Sequence, residues 1–392
     1  MRRVLPLLLL CALAGAAERK AVVPAGAKVV GPYSPGIVAG EYLYVAGQGA
    51  LDASGRIPAG VEEQTRVCLE NVKTIVEAAG LKMANVVYTH LYLTDMSGLP
   101  VVDKVWRKYF PSDPPARAVV GVKRMPVATP VEINAVAVRD LRAKRAISSA
   151  ATATADRIFV SGVYGVDSGG QPPADPAEEV RRALEAMRAA LESAGADLLN
   201  LVFVNPYLTD AMPMEVMNKV YAEHFEFGNT PARATIRAAS LPGGARITFT
   251  GVAVRDLSQR RAVRPKNMAP SPTASPCVFA GDTLYCSAKS GFIPGPQSGI
   301  YAETVENQVR QTMRNLLDGL EEAGMDFSSV VATNVYLDNI DEFAKMNGIY
   351  RLYLTEPFPA RTTVQPASQV ERKADAQGRW PKLEEISLIA VK

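Results

Sequence analysis

Histidine and cysteine are scarce in this sequence, with two and four copies among 392 residues. The two histidines, His90 and His224, are far apart in the chain, so neither a histidine-based metal site nor a Ser-His-Asp triad is expected. An excess of charge is also missing, because the formal net charge is only +3. Proteins that bind nucleic acids or anionic membranes electrostatically carry a larger basic excess, so we predict neither partner.

Long apolar runs are lacking too, and none approaches the roughly 20 residues that a transmembrane helix needs. The longest run is at the start, where Arg2 and Arg3 precede an apolar stretch over residues 4–13 and the small residues Ala14-Gly15-Ala16. This pattern is typical of a cleaved signal peptide. We therefore predict a signal peptide over residues 1–17 and an exported mature protein, with an uncleaved tail as the alternative.

Three cysteines remain after such cleavage, namely Cys68, Cys277 and Cys286. Cys277 and Cys286 flank a predicted hairpin turn at Gly281-Asp282. A two-residue turn places them opposite each other on neighbouring strands, within reach of a disulfide. A disulfide and a pair of ordinary strand thiols both fit this arrangement.

Short motifs recur three times in the same order along the chain. Pro-Ala-Arg occurs at residues 115–117, 231–233 and 359–361, and a Tyr-Leu pair precedes it each time. Recurrence of this kind is typical of a duplicated structural unit. The predicted repeats cover residues 22–142, 143–259 and 260–392. The third repeat is longer mostly because of a Pro/Ser/Arg-rich segment over residues 260–276, and further because of a polar insertion over residues 369–381, which we expect to be a loop.

Within each repeat the pattern predicts a β-hairpin, a helix, a strand, a second helix and two strands. Apolar residues in the first helix recur at spacings of three and four. In the closing strand of repeat 1, Val131 and Ile133 alternate with Glu132 and Asn134, as in a sheet with two unlike faces. We therefore predict an α+β fold. Because two helices cover only one face, we expect the three bare faces to pack around an internal pseudo-threefold axis in a monomeric chain.

Several motifs of repeat 1 occur in an order that is found in a known family. They are Gly-Pro-Tyr-Ser-Pro at 31–35, Val-Ala-Gly-Gln at 45–48, Pro-Ala-Arg-Ala at 115–118 and Val-Glu-Ile-Asn-Ala at 131–135. The repeat resembles the Rid/YjgF family of reactive-intermediate deaminases, and the other two repeats resemble it with weaker motifs. The resemblance implies chorismate-mutase-like units, ligand clefts between neighbouring units, and hydrolysis of enamines and imines to 2-keto acids and ammonia without a metal or cofactor.

A small imine carboxylate as substrate calls for an arginine to bind its carboxylate and for a carboxylate to orient the attacking water. On the positions that match the family, the candidate catalytic residues are Arg117, Glu132, Tyr33, Arg361 and Glu385. The candidate substrate-binding residues are Arg233, Asn218, Asn347, Gly47, Ser161 and Ser287.

No repeat carries the whole family set. Repeat 1 has Asp103 in place of an asparagine and Ala46 in place of a serine, and repeat 2 has Thr248 at the position of Glu132. Because each site would draw on two repeats, we predict one or two competent clefts and at least one altered cleft, the one with Thr248. The alternatives to an enamine/imine deaminase are a non-catalytic binder of small carboxylates and a chaperone-like protein-interaction module.

Overall fold

The structure is a computed structural model that describes residues 19–27, 29, 31–266, 268–295 and 299–392. The predicted signal peptide lies outside these residues. The described residues form three β-sheets, and two α-helices accompany each sheet. The predicted α+β fold with three tandem units is therefore confirmed. Among the described residues, no helix is long and apolar enough to cross a membrane.

The same series of elements recurs in each repeat. Repeat 1 contains β1 (Lys20–Val22), β2 (Gly36–Ala39), β3 (Tyr42–Gly49), α1 (Val61–Ala78), β4 (Val86–Leu93), α2 (Leu99–Tyr109), β5 (Ala116–Gly121) and β6 (Val131–Val138). Repeat 2 contains β7 (Arg145–Ser148), β8 (Ala151–Ala153), β9 (Arg157–Tyr164), α3 (Pro176–Glu192), β10 (Leu201–Leu208), α4 (Met214–Ala222), β11 (Ala232–Arg233), β12 (Ile236–Arg237) and β13 (Ile247–Val254). Repeat 3 contains β14 (Arg260–Val263), β15 (Cys277–Ala280), β16 (Thr283–Lys289), α5 (Val305–Glu322), β17 (Val330–Leu337), α6 (Phe343–Tyr350), β18 (Ala360–Val364) and β19 (Glu384–Val391).

Each sheet is antiparallel except at one edge. In repeat 1 the strand order is β1-β2-β3-β6-β4-β5, and the edge strand β5 runs parallel to β4. The hairpin between β2 and β3 turns at Gly40, whose φ of 53° is a left-handed conformation that glycine adopts without strain. The β-hairpin predicted at the start of this repeat is therefore confirmed.

One face of each sheet is covered by its two helices. In repeat 3, the apolar stripe of α5 is buried in a core with residues of β16 and β19. The stripe consists of Val305, Val309, Met313, Leu316 and Leu320. Burial of this stripe against the sheet is the main reason that an otherwise polar helix forms here, because apolar area removed from water is the largest favourable contribution to folding.

The opposite faces of the three sheets form a common core. Buried residues of all three repeats share one apolar cluster, and the equivalent residues Tyr92, Tyr207 and Tyr336 meet at the centre of the molecule. The hydroxyl of Tyr207 lies 3.5 Å from that of Tyr92 and 3.4 Å from that of Tyr336. The predicted packing of the bare faces around a pseudo-threefold axis is observed in these contacts.

The repeats also contact each other in a closed cycle. The edge strand β5 of repeat 1 lies against β9 of repeat 2, β11 lies against β16 of repeat 3, and β18 of repeat 3 lies against β3 of repeat 1. Each of these edge strands begins with the Ala-Arg of a Pro-Ala-Arg motif. Every arginine of the motif is therefore placed at the boundary with another repeat.

Cys277 and Cys286 are directly opposite each other on β15 and β16. They form a disulfide with a Cα–Cα distance of 4.0 Å, which decides between the two interpretations of this pair. Cys68 is a free, buried thiol.

The polar insertion of repeat 3 runs between β18 and β19 without a helix or strand, as expected for a loop. The strand register shows which residues of the closing strands are equivalent in the three repeats, despite this insertion. In each repeat, one residue of the closing strand lies opposite a tyrosine on the neighbouring strand, and the three tyrosines are equivalent. These pairs are Tyr92 with Glu132, Tyr207 with Thr248, and Tyr336 with Glu385. Glu385 is therefore the counterpart of Glu132 in repeat 3.

Candidate active site

The three arginines of the Pro-Ala-Arg motifs are held in the same way. Each guanidinium contacts a polar side chain from the second helix of its own repeat, and each is close to an aromatic ring. These helix partners are Asp103 for Arg117, Asn218 for Arg233 and Asn347 for Arg361, at 2.7, 2.9 and 2.7 Å. We name each cleft between repeats after its arginine.

The two serines predicted to bind substrate form hydrogen bonds with the main chain of the edge strands and not with the arginine side chains. The main-chain N–H of Arg117 donates to Ser161 Oγ at 3.1 Å, and that of Arg233 donates to Ser287 Oγ at 2.8 Å. Both serines belong to the following repeat, so these bonds set the position of one repeat against the next. Ala46 is the counterpart in repeat 1 and has no hydroxyl to offer Arg361.

The Arg361 cleft lies between the last repeat and the first. Arg361 is only 4% exposed, and its guanidinium carbon lies 5.4, 5.2 and 5.1 Å from the ring centres of Tyr33, Phe343 and Tyr350. Burial lowers the pKa of Arg361, and Tyr350, Tyr33 and Glu132 oppose this shift. A guanidinium packed among rings in this way has a fixed orientation, which favours two-pronged binding of a carboxylate.

Glycine allows the N-terminal segment to approach this arginine closely. A Cβ atom at Gly31 would lie 3.0 Å from Arg361 Nη2 and 3.2 Å from Asn347 Nδ2, and Gly31 has a φ of 139°. Both facts disfavour any larger residue here. The Gly-Pro-Tyr motif therefore brings Tyr33 of repeat 1 onto the arginine of repeat 3.

Glu132 faces the same cleft from β6 and is 5% exposed. Burial raises the pKa of its carboxyl group to about 8, and Arg361 counteracts part of this rise. Gly47 on β3 makes room for the carboxylate, because a Cβ atom there would overlap Oε1 and would lie 2.9 Å from Cδ of Glu132. A carboxyl group that titrates near neutral pH is suited to accept and return a proton.

A cavity of about 470 Å³ opens beside these side chains. Tyr33, Gly47, Glu132 and Arg361 line it, so four predicted site residues meet there. Its volume is in the range of small-molecule sites. Two larger surface clefts, of about 740 and 660 Å³, contain none of the three motif arginines.

The Arg117 cleft has a different chemistry. The Arg117 guanidinium forms an ion pair with Asp103, so its charge is compensated within its own repeat. Thr248 occupies the position of Glu132 and donates its hydroxyl hydrogen to a main-chain carbonyl at 2.9 Å. A hydroxyl with a pKa far above neutrality is a weak base, so this cleft lacks the proton acceptor of the Arg361 cleft.

The Arg233 cleft retains the arginine, Asn218 and a carboxylate, but the carboxylate has another partner. Glu385 forms an ion pair with Lys382, the first residue after the insertion. Strand register places Ala288 at the position of Gly47, because Lys289 lies opposite Ile386 as Gln48 lies opposite Ile133. The space that receives the Glu132 carboxylate in repeat 1 therefore holds a methyl group in repeat 3.

The structure thus groups the predicted residues by cleft rather than by repeat. Arg117 does not share a cleft with Glu132 and Tyr33, although all three belong to repeat 1. Sequence reasoning also missed Val127, Thr363 and Lys382. Val127 and Thr363 line the Arg361 cleft. Thr363 could have been found, since it lies two residues after Arg361 and so faces the same side of the strand.

The chain thus links three α+β units covalently, and an arginine lies at each boundary between two units. This arrangement is that of a trimer whose three subunits belong to one chain. The family model described as endoribonuclease L-PSP matches residues 25–139, 141–255 and 266–375 of the chain. The chain belongs to this family, which is the Rid/YjgF family that the motifs resemble.

Its relatives are about as long as one repeat. A RutC family protein of Pyrococcus horikoshii is 41% identical over 115 residues, which are 29% of this chain and 91% of the relative. The 2-iminobutanoate/2-iminopropanoate deaminase of Mus musculus is 38% identical over 112 residues, 28% of this chain and 83% of that protein. The crystal structure of the YjgF gene product of Escherichia coli has 35% identity and a TM-score of 0.30, covering 31% of this chain and 99% of that chain.

Proposed function

We propose that the protein hydrolyses enamine or imine derivatives of amino acids to 2-keto acids and ammonia, and that it does so in the Arg361 cleft. The observation that carries this proposal is the convergence of Arg361, Glu132 and Tyr33 on one cavity. The name of the mouse relative, which acts on 2-iminobutanoate and 2-iminopropanoate, indicates the substrate class.

The side chains fit the steps of this reaction. Arg361 binds the substrate carboxylate, and Glu132 takes a proton from water as the water oxygen bonds to the imine carbon and the C=N π pair moves to nitrogen. Glu132 then returns the proton to nitrogen, which becomes –NH3+ because the substrate reacts as the protonated imine. The C–N bond breaks with its electron pair on the leaving ammonia, the hydroxyl transfers its proton to the Glu132 carboxylate, and the carbonyl of the 2-keto acid forms.

Only one of the three clefts is proposed to be competent. In the Arg361 cleft, the side-chain amide of Asn347 holds the arginine. Burial raises the pKa of the Glu132 carboxyl group in this cleft to about 8. In the Arg117 cleft, Asp103 compensates the arginine and Thr248 replaces the glutamate. In the Arg233 cleft, Lys382 engages the glutamate.

The three arginines provide matched variants for the test. An L-amino-acid oxidase generates the imine in situ, and formation of the 2-keto acid is followed with and without the protein. We expect Arg361→Ala to lower the rate enhancement at least ~100-fold, since a charge-assisted, two-pronged contact is lost. Arg117→Ala and Arg233→Ala are expected to retain most of it. A wild-type protein without any enhancement, or an Arg361→Ala variant equal to wild type, would refute the proposal.

Binding of small carboxylates without turnover is a second candidate function, for the Arg233 cleft alone. It is favoured by the retention of Arg233 and Asn218 beside a carboxylate that is engaged elsewhere. Titration calorimetry with 2-ketobutanoate tests this idea. Two bound ligands per chain, falling to one in Arg233→Ala, support it, and a single ligand lost only in Arg361→Ala contradicts it.

We further propose that the mature protein is exported as a monomeric chain. The signal-like residues 1–17 and the Cys277–Cys286 disulfide support export, since disulfides persist in oxidising compartments. Cell fractionation with N-terminal sequencing of the mature protein tests export. Gel filtration with light scattering tests the oligomeric state, for which a mass near that of one chain is expected.

A further inference from the structure

We propose that Thr363 contacts the substrate in the Arg361 cleft, where its hydroxyl is the hydrogen-bond partner of the imine nitrogen. This inference rests on the proposed function and adds a residue to it. Thr363 lies two positions after Arg361 on β18, so both side chains project from the same side of the strand. Both line the 470 Å³ cavity, and so does Glu132.

The hydroxyl of Thr363 is buried and has no partner. Thr363 is 4% exposed, and its Oγ1 makes no hydrogen bond to any of the described residues. A buried polar atom without a partner costs free energy and is uncommon in folded proteins. Because the residue Thr363 lines a ligand-sized cavity next to a carboxylate-binding arginine, we infer that a ligand bound there supplies the missing partner.

A hydroxyl group suits this particular reaction. The protonated imine nitrogen presents N–H donors, whereas the carbonyl oxygen of the product presents only acceptor lone pairs. A threonine hydroxyl can accept a hydrogen bond from the first and donate one to the second. Neither an ammonium group, which only donates, nor a carboxylate, which only accepts, could serve both partners without changing its protonation state.

The residue at the position of Thr363 differs among the three clefts, and the difference follows the presence or absence of the glutamate. Thr235 occupies this position in the Arg233 cleft, and its Oγ1 is likewise buried without a partner. Val119 occupies it in the Arg117 cleft, where Thr248 replaces the glutamate. The hydroxyl is thus present in the two clefts that have a glutamate and absent from the one that has none.

The valine of repeat 1 provides the test substitution. Thr363→Val preserves the shape of the side chain and removes only the hydroxyl, and Thr363→Ser restores the hydroxyl. We expect kcat/KM for imine hydrolysis to fall about tenfold to a hundredfold in the valine variant, as for loss of a hydrogen bond to a charged group. The serine variant should remain within about threefold of wild type.

Thr89→Val is the matched control. Thr89 Oγ1 is also buried and without a partner among the described residues, but Thr89 lies opposite Arg117 and does not line the cavity of the Arg361 cleft. Its variant should keep the wild-type kcat/KM. Both valine variants should keep or raise the melting temperature, because each removes an unpaired hydroxyl.

The outcomes separate this inference from the proposed function. Activity of the wild type with equal activity of Thr363→Val refutes the role of Thr363 alone. A loss of activity in Thr363→Val that is matched by a fall in melting temperature also refutes it, because the hydroxyl would then be structural. If the wild type has no activity, the dissociation constant of 2-ketobutanoate decides: about tenfold weaker binding to Thr363→Val supports the contact, and equal binding refutes it.

Discussion

Replacing Gly47 by alanine adds one methyl group beside the carboxylate of Glu132. The backbone at Gly47 does not have a positive φ, so alanine fits the strand itself. The new Cβ would overlap Oε1 of Glu132 and approach its Cδ to 2.9 Å, whereas ordinary contacts begin near 3.4 Å. The carboxylate must therefore move by on the order of 1 Å, and a displacement of that size in a reacting group costs roughly 100-fold in rate.

Repeat 3 shows the expected result of this change, because Ala288 stands at the position of Gly47 and the carboxylate of Glu385 pairs with Lys382. We expect Gly47→Ala to lower kcat for imine hydrolysis about 100-fold while the melting temperature changes little. The assay is 2-keto acid formation from an oxidase-generated imine, together with a thermal melt. Gly162→Ala in repeat 2 is the control, since its Cβ would meet the hydroxyl of Thr248 instead of a carboxylate. A Gly47→Ala variant with kcat near wild type would refute the assignment of Glu132 as the base.

Three further predictions concern pH and stability. Burial raises the pKa of Glu132 from 4.5 to about 8, so kcat/KM should rise with pH up to about 8 as the base ionises and then level off. The unfolding free energy should fall as the pH rises from about 4.5 to about 8, because over this range the folded protein binds a proton that the unfolded chain has lost. Glu132→Gln should remove both dependences, as pH–rate profiles and urea titrations at several pH values would show. Val127 has a φ of 54°, a conformation that costs a β-branched residue ~1–2 kcal/mol. Val127→Gly should therefore raise the unfolding free energy by up to about 1 kcal/mol, and repeat 2 already has a glycine, Gly243, at the corresponding turn. A lower unfolding free energy of the variant in urea titration would contradict this. The Cys277→Ala/Cys286→Ala variant should lose about 2–3 kcal/mol of unfolding free energy, and equal stability of the two proteins would show that the cross-link contributes nothing.

Local pattern was sufficient to predict the units themselves. The apolar stripe of α5 and the alternation in β6 are periodicities that burial on one face imposes, and both are visible in sequence. The opposition of Cys277 and Cys286 followed from a two-residue turn, because a turn sets the register of the strands it joins.

The pairing of residues across the clefts could not be predicted in this way. Tyr33 and Arg361 are at opposite ends of the chain, and no local periodicity relates them. Whether Arg117 faces repeat 2 or repeat 3 depends on the direction in which the repeats follow one another around the axis. Val127 was missed because a left-handed backbone at a β-branched residue has no signature in sequence.

The cleft that joins Arg361 to Tyr33 closes a ring between the two ends of the polypeptide. During translation, the N-terminal portion of this pocket leaves the ribosome long before its arginine has been synthesised. A prematurely terminated chain would therefore contain finished repeats and yet no assembled pocket. The pocket forms only when the final strands have been synthesised. Under the proposed function, we therefore expect nascent or truncated products to lack imine-hydrolysing activity.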